Sequence, residues 1–123
     1  MTEGARAKAL QCAQAALEKK AYDLVILDVY ELCGFADAFV ICSGRSDRQV
    51  QAIAEGIEES LDRSGIRPLG VEGLPTAHWV LLDYADVIVH IFYNPVREFY
   101  DLEGLWSRAP QVALPAELAA LQG

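Results

Sequence analysis

Basic residues are scarce in this chain. Ten Lys and Arg stand against 18 Asp and Glu, giving a formal net charge of −8 over 123 residues. Nucleic acid is bound largely by Lys and Arg that displace counterions from phosphate. The balance therefore argues against direct nucleic-acid contact or an anionic membrane surface, and it favours a basic protein partner, whose field an acidic surface complements. Histidine is scarcer still: the chain has two, His78 and His90. The three cysteines, Cys12, Cys33 and Cys42, contain no Cys-x-x-Cys spacing, so no set of metal ligands is complete. An odd number of thiols indicates a reducing compartment rather than a disulfide framework. Met1-Thr2-Glu3-Gly4-Ala5-Arg6 lacks the apolar stretch of a secretory signal, and the longest apolar runs have strand length, too short for a bilayer. The expectation is a cytoplasmic protein with no membrane association.

The signatures of phosphate chemistry are missing as well. Ser43-Gly44-Arg45-Ser46 sits between a strand pattern and a helix start, where backbone amides can hold an anion, but the glycines of a phosphate-binding loop are absent. No Asp-x-Asp pair occurs to hold Mg²⁺. A Ser43, His90, Asp83 combination has no nucleophile elbow behind it. No cofactor, metal site or catalytic residue is expected.

What the chain has is apolar residues, 53% of the total, enough for the core of one domain. Residues 5–20 read as an amphipathic helix with Leu10, Ala13 and Leu17 on one side. Leu24–Val29 and Ala38–Cys42 are continuous apolar runs and read as interior strands. Ser46-Asp47-Arg48-Gln49 is a capping box, and Val50, Ile53, Ala54, Ile57 and Leu61 form the stripe of the helix that follows. Gly65 is placed to end that helix in the left-handed region. Pro68 to Glu72 suits a short edge strand. His78–Tyr84 and Val87–Tyr93 form a hairpin around Ala85-Asp86. Val96 to Trp106 reads as one helix with Phe99, Leu102 and Trp106 on the same side. The expected fold class is α/β (α+β), a mixed five-stranded sheet with helices packed on it. Residues 1–106 form the single domain, and 107–123 form a variable, partly mobile tail.

Val71 to Trp106 is the richest segment. It carries seven of the eleven aromatics, and its six acids (Glu72, Asp83, Asp86, Glu98, Asp101, Glu103) against one base (Arg97) give it a charge of −5. Alternation divides the hairpin into Val80, Leu82, Tyr84, Val87, Val89 and Ile91 on one face. Trp79, Leu81, Asp83, Ile88, His90 and Phe92 lie on the other. Both faces are apolar, and with few helices available to cover them, one is expected to stay partly open for a partner. The expected contact residues are Trp79, Leu81, Asp83, Asp86, His90, Arg97, Tyr100 and Glu103, with Trp79 first, because Trp and Tyr dominate interface energetics.

These residues also carry a resemblance. Asp28, Ala36-Asp37 with Phe39-Val40-Ile41, Ser43-Gly44, Gln49-Val50, Glu72-Gly73, Trp79-Val80-Leu81-Leu82-Asp83-Tyr84, Asp86-Val87 and His90-Ile91-Phe92 are similar to the ribosomal silencing factor family, also called Iojap-like proteins. Arg97-x-Phe99-Tyr100-x-Leu102-Glu103-x-Leu105-Trp106 completes the pattern. The resemblance implies a nucleotidyltransferase-like fold without its carboxylates and a non-enzymatic function. It implies binding to the large ribosomal subunit through the basic ribosomal protein fourteen, steric exclusion of the small subunit, and repression of translation when nutrients are short. A role in large-subunit assembly and a homodimer in the free state are implied too. Members usually carry Gly where Ala85 stands, so a positive φ at Ala85 would mean a strained turn. The alternative reading is a nucleotide-dependent enzyme on the same fold.

Overall fold

Two helices open with hydroxyl caps, and both lie on one face of a sheet. In the computed structural model, which describes residues 1–122, the first helix, α1, spans Glu3–Glu18, and Thr2 Oγ1 accepts from Ala5 N at 3.0 Å. Its buried side is mostly alanine (Ala5, Ala9, Ala13, Ala16), which allows a close approach to its neighbours. The strands β1 (Tyr22–Asp28) and β2 (Ala38–Gly44) follow, and then α2 (Asp47–Arg63). Ser46 Oγ caps α2 by accepting from Gln49 N at 3.1 Å. The Gln49 side chain reaches back one residue further than a capping box requires, to Arg45 N at 2.6 Å. The stripe Val50, Ile53, Ala54, Ile57 and Leu61 is fully buried. Gly65, at φ 77, ends the helix as its position predicts, with Ile66 N returning to Leu61 O and Gly65 N to Asp62 O, both at 2.9 Å.

The short β3 (Gly70–Glu72) leads to β4 (Trp79–Asp83) and β5 (Val87–Tyr93). The sheet order is β1-β2-β5-β4-β3. The chain passes from β2 through α2 and the β3–β4 pair to a β5 that lies parallel to β2, and the remaining neighbours are antiparallel. The hairpin register is the one the alternation requires: Trp79 faces Phe92, Leu81 faces His90 and Asp83 faces Ile88. The mixed five-stranded sheet and the edge position of β3 agree with the sequence.

Two sequence expectations need correction. The run Leu24–Val29 was expected in an interior strand, but β1 is at the sheet edge. It is apolar because both of its faces are covered, Leu24 and Ile26 in one cluster and Leu27 and Val29 in the other, and the chain's own tail takes the open edge. Asp28 N donates to Pro110 O and Val112 N to Ile26 O, each at 2.8 Å, so residues 110–112 form a single antiparallel bridge along β1. The helix α5 (Ala116–Leu121) buries Leu118 in the main core, and Gln122 Oε1 accepts from Leu24 N at 2.7 Å. The packing thus continues past Trp106. The second correction concerns the helix expected from Val96 to Trp106. It is broken: α3 covers Asn94–Tyr100, Asp101 adopts φ 47, and α4 covers Leu102–Leu105. The break turns Phe99 outward, 81% exposed, whereas Leu102 stays buried.

The sheet separates two apolar clusters. One lies under α1 and α2 and contains Val40, Cys42, Val80, Leu82, Val89 and Ile91. The other contains Leu27, Phe39, Ile41, Ile88, Phe92 and Leu102, and it is roofed by the connector 29–36, by α3 and α4, and by Trp106 and Ala109 of the segment that follows.

Candidate functional site

The thinly roofed face carries the aromatic side chains. The Trp79 ring packs on Phe92 and on Tyr100, with centroids 4.9 Å away in both cases. Its indole Nε1 donates to His90 Nδ1 at 3.2 Å. That bond fixes a neutral imidazole with its proton on Nε2. Burial pushes the His90 pKa down to about 4, so the ring is uncharged at neutral pH. His90 also meets Phe39 edge-on at 5.0 Å, and Phe39 meets Trp106 edge-on at 5.2 Å. A continuous aromatic layer therefore runs from Tyr100 through Trp79 to Trp106, half-buried at Trp79 and Trp106 and 50% exposed at Tyr100.

An ion pair holds α3 and α4 in place. Arg97 is buried at the C-terminal end of β2, where Nη1 donates to Ser43 Oγ at 2.8 Å. Nη2 and Nε donate to the two oxygens of Glu103 at 2.8 and 3.2 Å, a planar fork on a carboxylate. Hydrogen bonding from Arg97 holds the Glu103 carboxyl below its usual pKa. The clamp closes across the Asp101 break, and Asp101 itself caps α4 by accepting from Gly104 N at 3.3 Å. The result is a fixed two-turn platform that displays Phe99, Tyr100 and Leu105.

Of the expected contact residues, Trp79, Leu81, Tyr100 and Glu103 share one end of this face. Asp83 and Asp86 lie at the hairpin turn, about 13 Å along β4 from Trp79 at ~3.3 Å per residue. Each has a local task. Asp83 Oδ1 accepts from Ala85 N at 2.8 Å, supporting an alanine at φ 73, and Asp86 Oδ1 pairs with Lys8 Nζ at 2.6 Å. His90 and Arg97 need correction as contact residues. Both are buried, because His90 lies beneath aromatic rings and Arg97 is turned inward to Ser43, so neither is presented at the surface and each holds exposed neighbours in place. Two surface residues escaped the sequence reading. Phe99 and Leu105, about 80% exposed, were hidden by the assumption of one unbroken helix.

The Ser43–Ser46 turn is occupied by its own contacts. Ser43 is buried under Arg97, Ser46 caps α2, the Arg45 amide goes to Gln49, and the Arg45 guanidinium lies 4.2 Å over the Tyr22 ring. Among the described residues no group of three or more His, Cys, Asp or Glu side chains could hold a metal ion, and no helix is long and apolar enough to cross a membrane.

The comparisons with known proteins decide the family. The model described as "Ribosomal silencing factor during starvation" matches residues 2–122. This chain belongs to the ribosomal silencing factor family. It is 46% identical over 98 residues to Ribosomal silencing factor RsfS of Bacillus subtilis, which covers 80% of this chain and 83% of that protein. It is 32% identical over 109 residues to the chloroplastic protein Iojap of Arabidopsis thaliana, where the match covers 89% of this chain and 45% of the plant protein. The fold has solved counterparts. A crystal structure from Chromobacterium violaceum superposes with a TM-score of 0.82 at 32% identity, covering 94% of this chain and 96% of that one. One from Bacillus halodurans gives 0.76 at 39% identity, covering 85% and 94%. The family match includes the tail residues that pair with β1, so the folded unit and the matched region coincide closely.

Proposed function

We propose that this protein binds the large ribosomal subunit through the basic ribosomal protein fourteen and blocks docking of the small subunit, repressing translation when nutrients are limiting. The observation that carries the reading is the half-open aromatic face, set among carboxylates, in a member of the ribosomal silencing factor family. Trp79, Tyr100, Phe99 and Leu105 offer apolar anchors. Glu72, Glu98 and Asp101 supply the negative field that speeds encounter with a basic protein and sets its orientation, while Glu103 is paired with Arg97 and holds the platform at the edge of that surface. The mechanism is exclusion by bulk, so it needs neither cofactor nor general base. Regulation follows from mass action, because factor and small subunit compete for one surface. Participation in large-subunit assembly, a homodimer in the free state and a cytoplasmic location belong to the same reading. The alternative of a nucleotide-dependent enzyme would need a carboxylate pair and free backbone amides. The sequence has no Asp-x-Asp, and the Ser43–Ser46 turn uses its groups internally.

Trp79→Ala tests the reading. Truncating such an anchor typically removes about 2–4 kcal/mol, or roughly 30- to 700-fold in affinity. Cosedimentation with purified large subunits measures the loss, and a melting curve verifies the fold. A folded variant that binds normally would remove Trp79 from the interface and shift the contact to α3 and α4.

A further inference from the structure

At the opposite end of the aromatic face, a groove of about 540 Å³ opens between the connector 29–37 and the hairpin turn. Its apolar wall is Tyr30, Phe35, Leu69 and Ile88, of which Phe35 is 68% and Leu69 76% exposed. Its acidic rim is Asp37, Asp83 and Asp86, and no base lines it.

The walls are held in place. Cys33 N donates to Val29 O and Asp37 N to Asp86 O, both at 2.8 Å, and Val29 N donates to Asp37 O at 2.9 Å, tying the connector to itself and to the turn. The rim is only partly neutralised. Lys8 takes Asp86 at 2.6 Å. Asp37 accepts only from Thr2 N, through Oδ2 at 3.2 Å, and Asp83 only from Ala85 N, through Oδ1. The second oxygen of each has no donor among the described residues. An exposed phenyl ring beside two half-satisfied carboxylates is the environment that suits a guanidinium, which stacks flat on the ring and forks onto the acid.

We propose that this groove is the second anchor point of the same interface and receives an arginine side chain from the basic protein bound at Trp79; this rests on the function proposed above. Geometry supports a single partner. A standard interface covers about 800 Å² per partner, a disc of roughly 16 Å radius. A partner centred on Trp79 therefore reaches Asp83, about 13 Å away along the strand.

Two variants test it without disturbing the fold. Phe35→Ala removes the exposed ring, and Asp83→Asn removes the charge while keeping an oxygen to accept from Ala85 N. Each is measured by cosedimentation with purified large subunits at low and moderate salt, alongside sedimentation equilibrium of the free protein. The expected result is about ten-fold weaker binding for each, with a shallower salt dependence for Asp83→Asn. If wild type binds and both variants bind equally well, the groove has no part in the interface and the proposed function stands. If wild type itself fails to bind, the parent reading falls and takes this one with it. If Phe35→Ala weakens only self-association, the occupant is a second copy of this chain, and the proposal is overturned.

Discussion

Leu81 and Leu82 are neighbours in β4 with the same side-chain composition, yet they belong to different parts of the molecule. Leu82 is fully buried under the helices with Val80, Val89 and Ile91. Leu81 is half-buried on the aromatic face, paired with His90. The period of two in a strand lets one stretch of sequence do both jobs: odd positions of β4 face the half-open aromatic side and even positions face the core. The covered face consists mainly of aliphatic side chains in close contact, with Tyr84 the one fully enclosed ring among its buried members. The open face has a buried aliphatic floor of Leu27, Ile41, Ile88 and Leu102, and over it rings, one neutral histidine and a buried arginine keep large side chains ordered without full burial.

Substituting the two leucines is the strongest way to break that comparison. Leu82→Ala should destabilise the fold by about 2–5 kcal/mol, the usual range for a truncated core leucine, with little direct effect on ribosome binding by whatever remains folded. Leu81→Ala should cost about 1 kcal/mol of stability, because its site is already half open, and should show its larger effect in cosedimentation. Chemical denaturation of both variants checks the order. Equal losses of stability would mean that the second face is core too.

The alternation that separates the two faces was legible in the sequence, because β4 and β5 pair without a register shift. Depth within a face was not. His90 alternates with Ile88 and Phe92, which assigns its face, but only the overlying Phe39 and Trp79 rings bury it. Arg97 reads as a lone base among acids, and its inward turn depends on Ser43, 54 positions earlier in the chain. The interior reading of β1 was wrong because an apolar run reports covering, not what covers it. The Gln111 segment that takes the edge lies between Pro110 and Pro115 and has no strand pattern of its own. The break at Asp101 lacked the usual Gly or Pro, so the spacing of Phe99, Leu102 and Trp106 passed for one helix.

A second test uses pH, to which the aliphatic face is indifferent. His90 titrates at about 4 in the fold because burial disfavours its charged form, against 6.5 for the ordinary imidazole. A lowered histidine contributes stability that is complete above pH 6.5 and is lost as pH falls through 4. The shift corresponds to about 3 kcal/mol when fully expressed. Protonation in the fold also removes the acceptor that Nδ1 offers Trp79, so the anchor should loosen only as pH approaches 4. Melting curves of wild type and His90→Gln between pH 7 and 4 isolate the effect. The difference between them should shrink by about 3 kcal/mol as the wild type alone acquires the penalty, with a change in tryptophan fluorescence confined to the acid end of the range, near pH 4. A pH-independent difference would show that His90 is not the buried neutral group described.

The smallest expected effect lies at the turn, which belongs to neither face and should move both together. Ala85 sits at φ 73, a region that costs an L-residue about 1–2 kcal/mol, while Asp83 Oδ1 and the Tyr84 N to Val87 O bond at 2.9 Å hold the hairpin closed around it. Ala85→Gly removes the steric penalty but adds chain entropy to the unfolded state, which returns about 0.4–1 kcal/mol of the gain. The net expectation is stabilisation of about 0.5–1 kcal/mol, or roughly 2–5 °C in melting temperature. Ribosome binding should not change, because the backbone path and the Asp83 carboxylate stay where they are. A stabilised variant with normal cosedimentation means that the turn only joins the two faces. A stabilised variant that binds less well would mean that the strained alanine helps aim Asp83 at the partner, with strain retained at a working surface instead of being relieved.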